Sequence, residues 1–337
     1  MKNTATPTIC RICLRSCGIL VHQTSAGIQI TGNPRHPISK GFICFRGANY
    51  HRIWGSGQRI KQPLLRKGDQ WLPISCEDAL GILADKFDRS RQAYGARSSA
   101  FLKGESLKLQ EISAYMRHLA HALGTPNYFS IGSMCQRANF MGHDLTYGGI
   151  PKLDFGRIRA LLLWGRNMAV ASVAAFRDLN AAVKRGLKLI VIDPNSTETS
   201  EVADLHLRIT PGTDGLLALS FIKKAIEDYD LSPEAQRQVG WDRLKHHVLG
   251  LSYDRLLEKA GLTKDQFNLA SELVFNNLPA GNTTGLGLEL LPIGVQSIRA
   301  VACLQSLVDP GHFPSAISMP VNPLPNQAYY PERSEPV

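Results

Sequence analysis

Four cysteines near the N-terminus have the residue type and spacing of a metal-binding set. Cys10, Cys13 and Cys17 lie in "CRICLRSCG" and Cys44 follows in "KGFICFRGAN", which gives C-x2-C-x3-C-x26-C. Four thiolates can hold a tetrahedral zinc ion or a 4Fe-4S cluster. Three close ligands with one distant ligand favour the iron-sulfur cluster, because zinc sites usually pair two short knuckles. Zinc and unligated buried thiols remain alternatives.

Polar turns follow three apolar segments in the middle of the chain. The segments "RALLLWG", "LKLIVIDP" and "DLHLRITP" have the pattern of strands, and their ends are "WGRN", "DPNSTET" and "PGTDG". In an open α/β sheet, ligands bind beyond the carboxyl ends of the strands. Glycine backbone, short polar side chains and aspartate suit a pyrophosphate with a ribose diol or guanine edge, so the three turns together indicate a nucleotide. Ordinary turns are the alternative, and the lack of G-x-G-x-x-G after the first strand argues against a standard nicotinamide or flavin site.

These groups need secondary structure to position them. The stretch "GILVHQTSAGIQITGNP" alternates apolar and polar residues and predicts a hairpin that returns Cys44 to the other three cysteines. Strands that alternate with the helical "SVAAFRDLNAAVKRG" predict a wound, mainly parallel sheet. Helical spacing predicts further helices in "EDALGILADKFDRSRQAYG", "LKLQEISAYMRHLAHALG", "DGLLALSFIKKAIEDY", "QFNLASELVF" and "GVQSIRAVACLQSLV". The predicted class is α/β, with a small β-rich N-terminal iron-sulfur domain before the α/β domains.

Composition limits the class of protein. The chain has 337 residues, of which 44% are hydrophobic and 20% charged, which is ordinary globular composition. No apolar stretch approaches the ~20 residues that span a bilayer, and the first residues contain neither an apolar signal region nor a twin-arginine pair. A cytoplasmic location without direct membrane insertion is therefore predicted. Seven cysteines are too sparse for a disulfide scaffold, so the cluster indicates metal or redox chemistry.

The charge balance is basic. Lys and Arg number 38 against 28 Asp and Glu, which gives a net charge of +10. This charge suits the pyrophosphates of two dinucleotides, an anionic substrate or a missing protein half, and an unspecific solvated surface is the alternative. No run of Lys and Arg is longer than two residues and no nucleic-acid motif is present, so a nucleic-acid partner is not expected.

The ordered motifs resemble one family. The cysteine spacing, followed by "LLLWGRN", "LIVIDPNSTET", "DLHLRITPGTDGLLAL" and "GVQSIRAVACLQSL", resembles the molybdopterin oxidoreductases of the dimethylsulfoxide reductase type. The resemblance covers nearly the whole chain. It implies a 4Fe-4S cluster and two molybdopterin guanine dinucleotides around molybdenum or tungsten. It also implies that Gly165, Asn167, Asp193, Gly212 and Asp214 help to hold one guanosine diphosphate arm. Pro194, Thr197 and Thr213, in the same turns, are predicted to bind the cofactor as well.

The resemblance assigns roles to Cys135 and Arg46. Cys135, in "SIGSMCQRANFMG", stands where the family places its metal ligand at the head of a helix, and a soft thiolate suits that metal. Gln136 replaces the histidine typical of formate dehydrogenases, so formate oxidation is less expected. Arg46 replaces a common lysine between cluster and pterin; it keeps the charge but cannot release its proton. A structural cysteine and a solvated charge are the alternatives, and Cys76 and Cys303 are expected in the core.

Catalytic subunits of this family are typically much longer than this chain, so an N-terminal half is expected. The predicted regions are an iron-sulfur domain (1–57), a partial α/β domain (58–125 with 282–316), a dinucleotide-binding domain (126–281) and an extended tail (317–337). We expect two-electron chemistry at the metal on a small oxyanion, sulfur compound or formate-like substrate. Electrons are expected to pass through the 4Fe-4S cluster. A non-catalytic electron-transfer or assembly module and a hydratase are the alternatives. The expected partner is a C-terminal half or an electron-transfer subunit.

Overall fold

The computed structural model describes residues 5–13, 15–104, 110–131, 135–150 and 153–310. Two compact units divide these residues, and the boundary follows Ile131. The predicted α/β class with a small β-rich N-terminal region is confirmed. The four predicted domain regions are finer than this division and stay a prediction, and the tail 317–337 lies outside the described residues.

The first unit begins with an antiparallel sheet in the order β1-β2-β3. Its strands are β1 (Ala5–Ile9), β2 (Gly18–Thr24) and β3 (Gly27–Gly32). The predicted hairpin is confirmed, since Thr24 pairs with Gly27 and the chain turns there with a Gly27 φ of 111°. Two short helices pack against β3, namely α1 (Phe45–Ala48) and α2 (Tyr50–Trp54).

The rest of the first unit has two strand pairs and two helices. These are the hairpin of β4 (Leu64–Lys67) and β5 (Gln70–Pro73), the parallel pair of β6 (Phe101–Lys103) and β7 (Tyr128–Ser130), and the helices α3 (Cys76–Tyr94) and α4 (Gln110–Ala122). Both predicted helices in this region are confirmed. The expected core position of Cys76 is wrong, because this residue opens α3 directly after the N-cap Ser75 and is exposed.

The second unit is built on a four-stranded parallel sheet in the order β10-β9-β8-β11. Its strands are β8 (Ala160–Trp164), β9 (Lys188–Ile192), β10 (Leu205–Leu207) and β11 (Ala280–Thr284). The first three were predicted and are confirmed. Every residue of β8 is buried, as expected for a parallel strand covered on both faces. The strand order reverses between β8 and β11, which makes this position the switch point of the sheet.

Helices cover both faces of this sheet. They are α5 (Arg137–Tyr147), α6 (Met168–Ala171), α7 (Val173–Lys184), α8 (Asp214–Asp228), α9 (Pro233–Gln236), α10 (Trp241–Leu249), α11 (Tyr253–Ala260), α12 (Lys264–Phe275), α13 (Leu286–Glu289) and α14 (Gly294–Val308). Alternate β8 side chains face opposite sides: Leu163 packs with Leu179 of α7, and Trp164 packs with Phe221 of α8. Cys303 packs against the same core as Trp164, as expected.

No helix within the described ranges is both long and apolar enough to cross a bilayer.

Phe221 should carry a large share of the stability of the second unit. It is fully buried, and its ring centroid lies 6.3 Å from that of Trp164 and 5.1 Å from that of Phe267. We expect Phe221→Ala to lower the free energy of unfolding by about 3–5 kcal/mol, because it leaves a cavity and removes aromatic contacts. Urea unfolding followed by circular dichroism measures this. The control is Val239→Ala at a fully exposed side chain, and equal midpoints for the two variants would contradict the assignment.

Candidate functional site

The four N-terminal cysteines gather beside the antiparallel sheet. The N–H of Cys10, just after β1, donates to the Cys17 carbonyl at 2.8 Å, which closes the loop that also carries Cys13. Cys44 is the N-cap residue of α1. The thiols of Cys13 and Cys44 lie close enough to those of Cys10 and Cys17 to raise the pKa of the latter two. The structure thus brings the distant cysteine to the other three.

Burial and mutual repulsion act on these thiols in the same direction. Burial raises the pKa of Cys10 and Cys17, and the neighbouring thiols raise both pKa values further. Arg46 opposes the pKa rise at Cys10. Four neighbouring thiolates are costly without compensating cations, so the set suits a cationic metal centre that all four bind. Among the described residues, no group of three or more His, Cys, Asp or Glu side chains has the geometry to hold a metal ion as it stands.

Close packing fixes the segment that leads to Cys44. The N–H of Gly18 donates to the Ser39 hydroxyl at 3.1 Å, and that hydroxyl lies 3.0 Å from His36 Nδ1. Gly32, at the end of β3, packs so closely on Gly41 that a Cβ there would overlap the Gly41 carbonyl oxygen. The approach to Cys44 therefore depends on the backbone contact between two glycines.

α1 also approaches the thiols closely. A Cβ on Gly47 would lie 3.5 Å from the Cys10 sulfur and 2.9 Å from an Ile43 side-chain carbon. Gly47 therefore allows α1 to pack closely on Ile43 and the Cys10 thiol, which a larger residue would push apart.

The residues predicted at the strand ends come together at the carboxyl edge of the parallel sheet. Gly165 and Gly212 have φ values of 54° and 89°, in the region that favours glycine. The Thr199 hydroxyl donates to the side-chain oxygen of Asn167 at 2.8 Å and accepts the Ala169 N–H at 3.0 Å. These bonds connect the loop after β8 to the loop after β9.

Two buried carboxylates lie at this edge. Asp193 and Asp214 are 9% and 5% exposed. Burial raises the pKa of Asp214 to about 6, and the nearby Asp193 contributes to the rise. Asp193 accepts the Asn195 N–H at 2.9 Å. A buried carboxylate needs donors, and the N–H groups of guanine and the hydroxyls of ribose supply them, so the pair fits a guanosine group.

The remaining predicted residues make bonds within their own loops or, at Pro194, to the loop after the neighbouring strand β10. The Pro194 carbonyl accepts from Arg208 Nε at 3.3 Å, and the Thr197 hydroxyl accepts the Ser200 N–H at 3.3 Å. The Thr213 hydroxyl donates to the Thr210 carbonyl at 2.6 Å, one residue before α8. These bonds shape the loops, and contact of these residues with a ligand stays a prediction.

The end of β11 was missed by sequence analysis. Gly285 donates its N–H to the Trp164 carbonyl at 2.8 Å, and Gly287 donates to the Gly165 carbonyl at 3.3 Å. A Cβ on Gly285 would overlap the Gly165 carbonyl oxygen. Glycines in "TGLGLE" were the available signal, but the preceding "AGNTT" lacks the apolar run of a buried strand. This end lies at the switch point, where a ligand is expected.

Two half-buried residues of opposite charge, Arg166 and Glu289, lie near the switch point. Arg166 donates to the Thr283 hydroxyl at 3.1 Å, and burial lowers its pKa while Glu289 opposes this change. Burial raises the pKa of Glu289, against hydrogen bonding from the backbone N–H of Gln136 and the charge of Arg166. Glu289 therefore lies against the head of α5. Neither charged residue had been singled out in the sequence.

Cys135 and Arg46 occupy the local positions expected of them. Cys135 is half-buried and lies two residues before α5 begins at Arg137. Arg46 lies in α1, with its guanidinium carbon 5.6 Å from the Phe45 ring centroid. Their roles as metal ligand and as a charge beside the pterin stay predictions.

Comparison with protein-family models gives two adjacent matches. The model described as "Molybdopterin oxidoreductase" matches residues 59–250, and "Molybdopterin oxidoreductase Fe4S4 domain" matches residues 3–54. The second match contains all four clustered cysteines, and the first contains every strand-end residue predicted from the sequence.

Curated proteins and solved structures agree with these matches. Acetylene hydratase of Syntrophotalea acetylenica is 28% identical over 89% of this chain and 42% of its own length. The assimilatory nitrate reductase catalytic subunit of Bacillus subtilis is 28% identical over 87% and 42%. The structure of acetylene hydratase from Pelobacter acetylenicus superposes with a TM-score of 0.78 and 27% identity over 93% of this chain and 44% of that one. The chain thus spans less than half the length of these relatives.

Substitution of Gly32 should disturb the thiol cluster. We expect Gly32→Ala, purified without oxygen, to lose most of the iron and acid-labile sulfide that the parent chain retains, because the added methyl displaces the segment before Cys44. Iron and sulfide assays measure this. Gly57→Ala is the matched control, since a Cβ at Gly57 meets no atom within 4 Å. Equal iron in both variants would show that the glycine contact does not position Cys44.

Asp214 should make stability depend on pH. Its folded pKa lies above the unfolded value, so its contribution to the unfolding free energy is full below about pH 4 and is lost as pH rises through about 6. We expect Asp214→Asn to match the parent near pH 4 and to be roughly 3 kcal/mol more stable at pH 7.5. Urea unfolding of nucleotide-free protein at both pH values measures the difference. A stability difference independent of pH would refute a buried charge.

Proposed function

The chain belongs to the molybdopterin oxidoreductase family, with the family's Fe4S4 domain at residues 3–54, and we propose that it forms the cluster-bearing and dinucleotide-binding part of a bis-molybdopterin guanine dinucleotide enzyme. The observation that carries this proposal is the pair of buried carboxylates, Asp193 and Asp214, at the carboxyl edge of the parallel sheet. Such a pair is favourable only with donors bound to it.

The N-terminal thiolates hold the 4Fe-4S cluster in this proposal. Cys10, Cys13, Cys17 and Cys44 each bind one iron, and Arg46 places a permanent positive charge close enough to favour the Cys10 thiolate. Because arginine keeps its proton, Arg46 acts by charge and not by proton transfer. Bound cofactors would supply a two-electron change at molybdenum or tungsten and single-electron steps at the cluster.

The strand ends hold one guanosine diphosphate arm. Gly165 exposes backbone amides to the pyrophosphate, while Asp193 and Asp214 accept hydrogen bonds from ribose or guanine. The hydrogen bond from Thr199 to Asn167 joins the loop after β8 to the loop after β9. At the head of α5, Cys135 supplies a thiolate to the metal, and the half-buried Glu289 holds that helix end in place.

The relatives indicate the class of substrate. One relative is a nitrate reductase catalytic subunit, and two comparisons are with acetylene hydratases. We propose redox chemistry on a small oxyanion, sulfur compound or formate-like substrate, with formate disfavoured by Gln136. Hydration without net redox change is the second candidate, supported by the acetylene hydratase likeness. We assign the protein to the cytoplasm, where the thiols of the cluster stay reduced before metal is inserted.

Exposed apolar strands support a further polypeptide partner. Parallel strands are normally covered on both faces, yet β6 and β7 carry Leu102 and Phe129 with 78% and 53% exposure. The helix α3 contributes Leu80, which is 67% exposed. We propose that polypeptide equivalent to the rest of the longer relatives, on the same or a separate chain, covers these exposed side chains. If nothing covers them, a non-catalytic electron-transfer or assembly module is the alternative.

Two variants test the two sites separately. The parent chain, purified without oxygen, should contain about four irons with labile sulfide, together with guanine nucleotide and molybdenum or tungsten. We expect Cys13→Ser to lose iron and sulfide but to keep binding GDP. Asp193→Ala should keep iron but bind GDP about tenfold or more weakly, because it loses a charged hydrogen bond. Metal analysis and isothermal titration with GDP measure both losses.

The result is decisive in either direction. Stoichiometric zinc without labile sulfide would overturn the cluster assignment. Equal GDP affinity of Asp193→Ala and the parent chain would remove the strand ends from the dinucleotide site. Iron without any molybdenum, tungsten or pterin would favour the electron-transfer module.

A further inference from the structure

Basic charge is concentrated at one end of the chain. Residues 1–68 contain eleven Lys and Arg and no Asp or Glu, so their net charge is +11. The other residues contain 27 basic and 28 acidic residues, so their net charge is −1 although they form most of the chain. The net charge of the whole protein, +10, therefore lies entirely in the region that carries the four cysteines.

Part of this charge surrounds exposed apolar side chains. The segment that contains α1, α2 and the following turn presents a group that we call the 45–61 surface: Phe45, Arg52, Ile53, Trp54, Arg59, Ile60 and Lys61. Phe45, Trp54 and Ile60 are 69%, 66% and 73% exposed. Trp54 and Arg59 also line a groove of about 240 Å³. Single exposed apolar residues are common, but four of them together with three exposed cations within one short segment are typical of a contact surface.

The 45–61 surface lies one residue layer from the thiols. Phe45 directly follows Cys44, the N-cap of α1. Tyr50, in α2, packs against the small core that contains Cys10 and Cys17. A partner bound to this surface would therefore be separated from the cluster by a single layer of side chains.

The composition of the surface indicates the chemistry of its partner. Exposed cations without a neighbouring carboxylate in this region attract an anionic partner and raise its rate of encounter. Aromatic and isoleucine side chains bury apolar area, which a protein partner supplies and a small anion does not. Electron-transfer complexes are small, weak and electrostatically steered, and the charge of this surface suits such a complex.

We propose that the 45–61 surface docks an acidic electron-carrier protein, which exchanges single electrons with the cluster held by Cys10, Cys13, Cys17 and Cys44. In the reducing direction the carrier's own centre loses one electron and the cluster gains one, with no bond made or broken. This inference rests on the proposed cluster function and adds the partner and its contact residues.

A plant-type [2Fe-2S] ferredoxin of strongly negative net charge serves as the probe. Two measurements are made on the full chain: the dissociation constant for oxidised ferredoxin by isothermal titration, and the rate at which reduced ferredoxin reduces the cluster by stopped-flow. The test variant combines Arg52→Glu, Arg59→Glu and Lys61→Glu. The control reverses the same number of exposed charges in the second unit, with Lys184→Glu, Arg243→Glu and Lys245→Glu.

At ~0.01 M salt, where charges act over ~30 Å, we expect the test variant to differ from the parent in both measurements. Its dissociation constant for ferredoxin should be at least tenfold higher, and its rate of cluster reduction at least tenfold lower. The control variant should stay within about threefold of the parent, because each loses equal charge overall and only the local field differs. Near ~0.5 M salt, the difference between the variants should largely disappear through screening. Equal losses in the two variants, or rates that do not depend on salt, would overturn the docking surface.

Reduction by dithionite separates this inference from the proposed function. Suppose that dithionite reduces the cluster equally in all variants and that ferredoxin reduces it at the same rate in the test and control variants. That result overturns the docking inference alone. A chain without a reducible cluster overturns the proposed function and the inference with it. Tighter binding of a DNA duplex than of ferredoxin at the same salt would assign the surface to nucleic acid and would also overturn the inference.

Discussion

The contact between the ends of β8 and β11 is the constraint on which the second unit depends. Gly165, Gly285 and Gly287 bring two strand-end backbones together without intervening side chains, and their N–H and carbonyl groups bond directly. This contact sets the strands side by side where the strand order reverses, so that the loops open towards one edge. Arg166 and Glu289 then tie that edge to the head of α5. A single Cβ in this contact would separate the two ends.

The carboxyl edge of the parallel sheet also contains groups that lower the stability of the unliganded protein. Burying Asp214 beside Asp193 costs free energy in the unliganded protein, because ionised carboxylates are poorly solvated there. Sites built to bind a ligand often carry such buried polar groups at a cost in stability. The apolar core beneath, centred on Trp164 and Phe221, is large enough to tolerate this cost. This arrangement supports the proposal that the edge binds a dinucleotide.

The two units differ in net charge and in the size of the apolar core. The first unit carries the cysteines and nearly all of the net positive charge, although its own apolar core around Ile19 and Ile30 is small. Positive charge without carboxylates costs repulsion, and that cost is reduced when anionic thiolates or an anionic partner lie nearby. The second unit is almost neutral and has the large core. The positive charge thus lies in the unit with the proposed electron-transfer role. The large apolar core lies in the unit with the proposed dinucleotide-binding role.

The sequence by itself determined the class of fold, the cysteine set, three parallel strands and most of the longer helices, because these depend on local periodicity and spacing. It also indicated Asp193 and Asp214 as neighbours, since carboxyl ends of adjacent parallel strands meet. Only the tertiary structure revealed β11, whose polar "AGNTT" is buried through neighbours far away in the sequence and not through its own apolarity. The proximity of Arg166 to Glu289 likewise depends on a contact across a long separation in sequence, which no local pattern encodes.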